Sequence, residues 1–320
     1  MNVYNEWDPL KKVIVGIADN AKLPTIDKSV RVVNYADTEN VESETIGRYP
    51  QQVIDEANED LEIFVSYLKS GGIEVVRPVD IDPLYYNYCP RDSVIAYGNM
   101  AYATPMPIRA RKDEWAAMEK YFDRVTILQA TRDDALYNED CIGNPDILAL
   151  NETEAAFDAA NVLRANEDLL YLVSNSGNKK GAKILQEILG QKANVHTIEK
   201  IYSYMHIDST LAFLREGLIL ANPRRVRDKY LLPKPFRDWE VIFAPDPVDI
   251  GHYPGYCASS VWVSVNLLSI NPNLVVLEEH QTNLRDMLKK YKIECEMLPM
   301  RHSRTLGGCF HCVTLDLVRE

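Results

Sequence analysis

Long apolar runs, surplus positive charge and a second cysteine motif are what this sequence lacks. No uninterrupted apolar stretch is long enough to cross a bilayer, so no membrane span is expected. Acidic residues outnumber basic ones by 47 to 35, a net charge of -12. That balance excludes a broad phosphate-binding face and argues against a nucleic-acid partner, although local carboxylates would still attract a small cation. The segment Met1 to Asp8 has neither a basic n-region nor an apolar h-region, so no secretory signal is read there. The 6 cysteines of a 320-residue chain are then expected to be free thiols in a reducing cytoplasm. No low-complexity stretch or long linker divides the chain, which predicts one α/β domain over residues 1–320.

Hydrophobic residues make up 46% and charged residues 26%, enough apolar material for a sizeable core. Short apolar runs bounded by Gly, Pro, Asn or Asp read as strands: Lys12 to Ile17, Ile73 to Val76, Ser93 to Tyr97, Val125 to Leu128, Asp168 to Val173, Val195 to Ile198, Gly217 to Ala221 and Trp262 to Leu268. Amphipathic helices are predicted over Gln51 to Ser70, Lys179 to Leu189 and Gln281 to Tyr291, the last with Thr282 as its N-cap. A short apolar strand follows each helix, which suggests a repeated strand, strand, helix, strand unit. Tyr35 to Pro50 is polar and reads as a surface loop.

The most informative stretch is Arg301 to Cys312, which ends Gly307-Gly308-Cys309-Phe310-His311-Cys312 and runs into the strand-like Val313 to Leu317. Its C-x-x-C stands alone. A structural zinc site needs a second ligand pair, and a thioredoxin-like motif opens a helix and not a strand. A catalytic thiol remains open, as do two buried core cysteines. A thiol nucleophile needs a histidine and a carboxylate from elsewhere. Tyr204-Met205-His206-Ile207-Asp208 supplies both; on a strand, His206 and Asp208 would share a face. Asp158 lies among small apolar residues, where a capping or turn role is the ordinary reading. Asp92 precedes a strand, and Asn222-Pro223-Arg224-Arg225 reads as a turn carrying two cations. A thiol, a histidine and several carboxylates together suit attack on a planar cation such as a guanidinium, which paired carboxylates grip through its N–H fork. Arg225 could hold the carboxylate of an amino-acid substrate.

These motifs resemble the amidinotransferases. The resemblance rests on Tyr4 to Leu10 with Val13 to Gly16, on Pro90-Arg91-Asp92, Ala135 to Asn138, Phe157 to Ala160, Met205 to Asp208, Asn222-Pro223 and Leu306 to Cys312, in the family's order and near its spacings. It implies the pentein fold, a five-bladed α/β-propeller of ββαβ modules with the active site on its axis. It further implies that Cys312 is the nucleophile, His206 the general acid/base and Asp158 its carboxylate partner. Asp92 and Asp208 would hold the guanidinium, Arg225 the donor's α-carboxylate, with Met205, Ser259 and Ser260 as further substrate contacts. The implied reaction moves the amidino group of L-arginine to an amine acceptor through an amidino-cysteine, releases ornithine, and needs no metal or organic cofactor. A homodimer is the family expectation, and a role in specialised-metabolite biosynthesis is a further expectation. A guanidine-modifying hydrolase on the same scaffold is the alternative, and a catalytically silent relative is disfavoured by retention of Cys312, His206 and Asp158.

The sequence also departs from the glycine-using members. Ala21 to Pro50 is shorter, Asn161 stands where an acid is usual, Cys309 replaces a glycine, and Pro245 to Cys257 matches poorly. These differences leave the chemistry intact and the acceptor open.

Overall fold

The computed structural model describes residues 1–19, 21–41, 45–82 and 84–320. In chain order its elements are β1 (Leu10–Val15), β2 (Lys22–Leu23), α1 (Lys28–Asn34), β3 (Gly47–Arg48), α2 (Gln51–Ser70), β4 (Glu74–Val76), β5 (Val94–Tyr97), β6 (Met100–Ala103) and β7 (Val125–Ile127). Then come β8 (Val162–Ala165), β9 (Asp168–Leu172), α3 (Lys179–Leu189), β10 (Asn194–Ile198), β11 (Leu211–Arg215), β12 (Leu218–Ala221) and β13 (Glu240–Phe243). The last group is β14 (Leu268–Asn271), β15 (Leu274–Glu278), α4 (Thr282–Lys290), β16 (Glu294–Leu298), α5 (Ser303–Leu306) and β17 (Thr314–Arg319).

Five three-stranded sheets share one plan: β17-β1-β4, β5-β6-β7, β8-β9-β10, β11-β12-β13 and β14-β15-β16. In each, the first pair is antiparallel and the second parallel. A parallel pair needs a crossover. That crossover is α2, α3 or α4 in three sheets, and short 3-10 turns, such as Glu114–Tyr121 and Lys229–Leu231, in the other two. The repeated module is consistent with the propeller-like architecture that the sequence resemblance implies. One module is split by chain order: β17, near the C-terminus, pairs with β1, near the N-terminus.

The helices over Gln51–Ser70 and Lys179–Leu189 form as their periodicity predicts. Three expectations need correction. Trp262 to Leu268 is not a strand; Val261–Val265 forms a 3-10 turn capped by the Ser260 hydroxyl, and the strand starts at Leu268. β-propensity was overruled there because the segment turns inward before it pairs. Gln281, not Thr282, is the N-cap of α4, without a side-chain cap bond. The stretch 35–50 is not wholly loop, because Gly47–Arg48 pairs with Lys22–Leu23; its residues 42–44 lie outside the described residues.

α2 buries Val53, Ile54, Ala57, Leu61, Phe64, Val65 and Leu68 along one face, the 3.6-residue period expected of a core-facing helix. Phe64 meets Phe310 edge to face at 4.9 Å, and buried Asp60 accepts from the backbone N–H and Nε of Arg301 at 2.7 and 2.9 Å. Both contacts brace the stretch from Arg301 to Cys312 from behind.

A buried ionic cluster ties the sheets together. Glu6 accepts from Arg164 Nε and Nη2 at 2.8 Å each. Asp316 accepts from Arg164 at 2.8 Å, Arg319 at 2.9 Å and Arg91 at 3.1 Å. Burial alone would raise the Glu6 and Asp316 carboxyls, but the surrounding guanidinium groups outweigh it and hold both well below the usual carboxylate range. Breaking such a cluster leaves unpaired charge in the interior, so Asp316→Ala is expected to cost about 3–5 kcal/mol of unfolding free energy, read from urea denaturation against the parent protein.

Candidate active site

Five short turns, each leading into the first strand of a sheet, converge on one place. They are Pro90–Asp92 before β5, Ala159–Asn161 before β8, Ile207–Ser209 before β11, Val261–Val265 before β14, and Cys309 to Cys312 before β17. Neighbouring turns pack on one another. Each delivers one or two polar side chains.

Asp158 caps its turn by position, but its side chain makes no capping bond. It is fully buried, and its Oδ2 instead lies 3.0 Å from His206 Nε2. Asp92 Oδ1 lies 3.8 Å from His206 Nδ1, and Asp92 Oδ2 accepts from Arg111 at 3.1 Å. Arg111 also grips buried Glu114, whose carboxyl is pushed up to about 7, chiefly by burial. Burial opposes charge on His206, yet Asp92 and Asp158 overcome it and hold the imidazole well above its ordinary value. His206 and Asp208 do come together, though not on a strand. Both sit at a 3-10 turn, with His206 at its N-cap position.

Cys312 is buried. Its Sγ lies 3.0 Å from Asp208 Oδ2 and accepts from Asn266 Nδ2 at 3.0 Å. Asn266 Oδ1 also accepts from the backbone N–H of Cys309 at 3.1 Å and of Cys312 at 3.0 Å, so one amide fixes the whole loop. The adjacent Cys89 thiol, burial and the Asp208 charge hold the Cys312 thiol well above its ordinary value; His206 pulls the other way. Asp208 is brought down to about 2, because hydrogen bonding and charge from His311, together with His206, outweigh its burial. His311 bridges Asp208 at 3.1 Å and Glu6 at 3.3 Å, joining the site to the ionic cluster beneath.

The glycine pair has two separate jobs. Gly307 ends α5 at φ +76, a left-handed position costly for side chains. Gly308 makes room: a Cβ there would stand 2.7 Å from Cys89 Sγ and 2.8 Å from Cys312 Cβ.

Arg225 donates to Ser203 Oγ at 2.9 Å, Ser209 Oγ at 2.8 Å and Thr210 Oγ1 at 2.7 Å. Among the described residues it forms no salt bridge, whereas exposed Arg224 pairs with Asp246 at 3.4 Å. Ser203 Oγ donates to the carbonyl of His206, so Arg225 is anchored to the histidine turn. Met205 packs against the apolar cluster around Leu136 and Tyr137. Ser259 donates to the Ser303 carbonyl at 3.3 Å, and Ser260 caps the turn after it. No hydrogen bond between described residues joins either serine to Cys312 or His206. Sequence reasoning missed Asn266, Arg111 and Glu6. Asn266 had a usable signal, since it precedes β14 as His206 and Asp208 precede β11; Arg111 and Glu6 carried none.

Two buried carboxylate oxygens, Asp92 Oδ1 and Asp158 Oδ1, have no hydrogen-bond partner. Such groups are costly unless something completes them. Together with Asp208 they give the site acceptors suited to a planar cation bearing several N–H groups, beside a thiol.

No family model matches the chain. Curated relatives do. Inosamine-phosphate amidinotransferase 1 of Streptomyces griseus is 41% identical, covering 100% of this chain and 97% of the relative. Mitochondrial glycine amidinotransferase of Xenopus tropicalis is 32% identical over 99% of this chain and 82% of its own length. L-arginine:L-lysine amidinotransferase of Pseudomonas savastanoi pv. phaseolicola is 30% identical over 99% and 94%. The solved Streptomyces griseus inosamine-phosphate amidinotransferase superposes with a TM-score of 0.94 at 40% identity, over 99% of this chain and 96% of that one. DDAH of Pseudomonas aeruginosa, at 14% identity and a TM-score of 0.66, shares the fold over 96% of this chain and 99% of its own. The chain belongs to the amidinotransferase family, and it is an enzyme of the transferase type.

A thiol held above its ordinary value of 9 predicts slow alkylation of Cys312 in the free protein near neutrality. Its iodoacetamide labelling, followed by peptide mass spectrometry, is expected to keep rising with pH through and beyond that value.

Proposed function

We propose that the chain transfers the amidino group of L-arginine to an amine through a covalent amidino-cysteine on Cys312, in a ping-pong sequence that releases ornithine. The observation that carries this reading is the pair of buried oxygens on Asp92 and Asp158 that lack a hydrogen-bond partner, beside the Cys312 thiol. A guanidinium supplies the missing N–H donors, with Asp92 and Asp208 as its holders. Its positive charge also favours the thiolate, which the free site disfavours.

The atoms balance without a cofactor. The Cys312 sulfur bonds to the guanidinium carbon, the C–N bond to the ornithine nitrogen breaks, and the thiol proton ends on the departing amine. His206, held charged by Asp92 and Asp158, is placed to give its proton to that amine and take up the one the thiol loses. In the second half the acceptor amine attacks the amidino carbon and His206 carries the proton back to sulfur. Asp158 orients the imidazole. Arg225, which lacks an anionic partner among the described residues, takes the donor's α-carboxylate. Met205, Ser259 and Ser260 belong to the surrounding walls of this substrate region. The whole chain, 1–320, acts as one domain and works as a homodimer in the cytoplasm.

The relatives are named for three unlike acceptors: an inosamine phosphate, glycine and lysine. Here the acceptor is an amine of specialised metabolism, and a phosphorylated aminocyclitol is the first to test, because the relative named for it is 41% identical.

Arginine alone should load one amidino group per chain and release an equal amount of ornithine, seen by intact-protein mass spectrometry; Cys312→Ala should abolish both. Steady citrulline or urea formation without an amine would turn the reading into a hydrolase. His206→Asn should slow transfer by about 10²–10⁴-fold. Arg225→Gln should raise KM for arginine by about 10- to 100-fold with a smaller change in kcat, as expected when a hydrogen bond to a charged group is lost.

A further inference from the structure

Cys89 has no role in the proposed reaction, yet it stands against the nucleophile. One ligand atom each from Cys89, Asp92 and Cys312 lies within 4.8 Å of the other two, and all three residues are buried. Gly308 permits this approach, since any side chain there would meet Cys89 Sγ and Cys312 Cβ. Arg111 donates to Asp92 Oδ2 only; the other oxygen, Oδ1, is buried without a hydrogen-bond partner and meets His206 Nδ1 as an ion pair at 3.8 Å.

We propose that Cys89, Asp92 and Cys312 form a binding site for a thiolate-seeking divalent cation, zinc by its donor chemistry, whose occupation shuts the transfer site. Two sulfurs and one carboxylate oxygen are a donor set that zinc takes with a water in its fourth position. Tetrahedral zinc places two thiolates roughly 3.8 Å apart, which the cluster accommodates with small side-chain adjustments. Binding exchanges the two thiol protons for one metal ion, releasing both protons to solvent. Asp158 and Asp208, next to the cluster, add the negative charge that favours a cation there. The site is not the C-x-x-C read from the sequence: Cys309 is no part of it. Cys312 and Asp92 cannot serve metal and guanidinium together, so zinc and arginine exclude one another. That exclusion rests on the proposed function, whereas the metal site itself does not.

The test uses the full chain, stripped of metal and kept reduced with a phosphine. Cobalt(II) should give a near-ultraviolet thiolate charge-transfer band that saturates at one equivalent per chain and is displaced by zinc. Cys89→Ser, with Cys89→Ala as a second form, and Cys312→Ser should each lose the band and about 100-fold or more in zinc affinity, while Cys309→Ser keeps both. Zinc should stop arginine-dependent ornithine release, a chelator should restore it, and release by Cys89→Ser should not respond to the same zinc. No band in the parent protein, an unchanged band in both Cys89 variants, or a band lost in Cys309→Ser overturns the site. A cobalt-binding protein whose ornithine release ignores zinc overturns the exclusion. If metal-free protein releases no ornithine at all, the proposed function fails and the cobalt band still decides the metal site.

Discussion

The buried ionic cluster around Glu6 and Asp316 is the constraint on which the rest of the molecule depends. It draws from every sheet or from the turn leading into it: Asp316 and Arg319 on β17, Arg91 before β5, Arg164 on β8, Asp208 through His311 before β11, and the Ser269 carbonyl on β14. Charge in the interior tolerates little misplacement, because an unpaired member costs several kcal/mol. The cluster therefore fixes how the five sheets meet. The polar turns that carry the chemistry stand directly on it, with His311 as the link.

That arrangement explains the electrostatics of the site. Three carboxylates, Asp92, Asp158 and Asp208, converge where a thiol and an imidazole must work. Asp92 and Asp158 hold the His206 imidazole above its ordinary value, while the Cys89 thiol, burial and the Asp208 charge raise the Cys312 thiol. In the proposed reaction, activation of the thiol is thus coupled to occupation of the site by a cation. The same negative field favours the proposed divalent cation, for which Cys89 would supply the second sulfur.

The α/β alternation and two of three helix boundaries were legible in sequence because period and capping are local. Trp262 to Leu268 was misread because apolar, β-branched composition cannot distinguish a strand from an inward turn. The residue types of Cys312, His206, Asp158, Asp92 and Asp208 suggested a guanidinium-attacking set, but their individual roles in one site were expected only through resemblance. Taken singly, each residue also admitted an ordinary structural role. Asn266 escaped notice because an asparagine ending an apolar run looks like any strand boundary; only the folded chain shows it holding two backbone N–H groups and a sulfur. The serines at 259 and 260 were named through the resemblance, and the structure gives them hydrogen bonds within their own rim.

By itself the sequence determined the chemistry on offer, since residue type dictates which groups can attack, carry protons or hold a guanidinium. It also determined the local elements, since helix and strand periods are read over a few residues. Tertiary structure decided which groups meet. Residues as distant in sequence as Glu6, Asp92, Asp158, His206 and Cys312 share one interior only because five modules close around a common charge cluster. Burial and neighbouring charge, which no single segment contains, then set the protonation of the thiol and the imidazole.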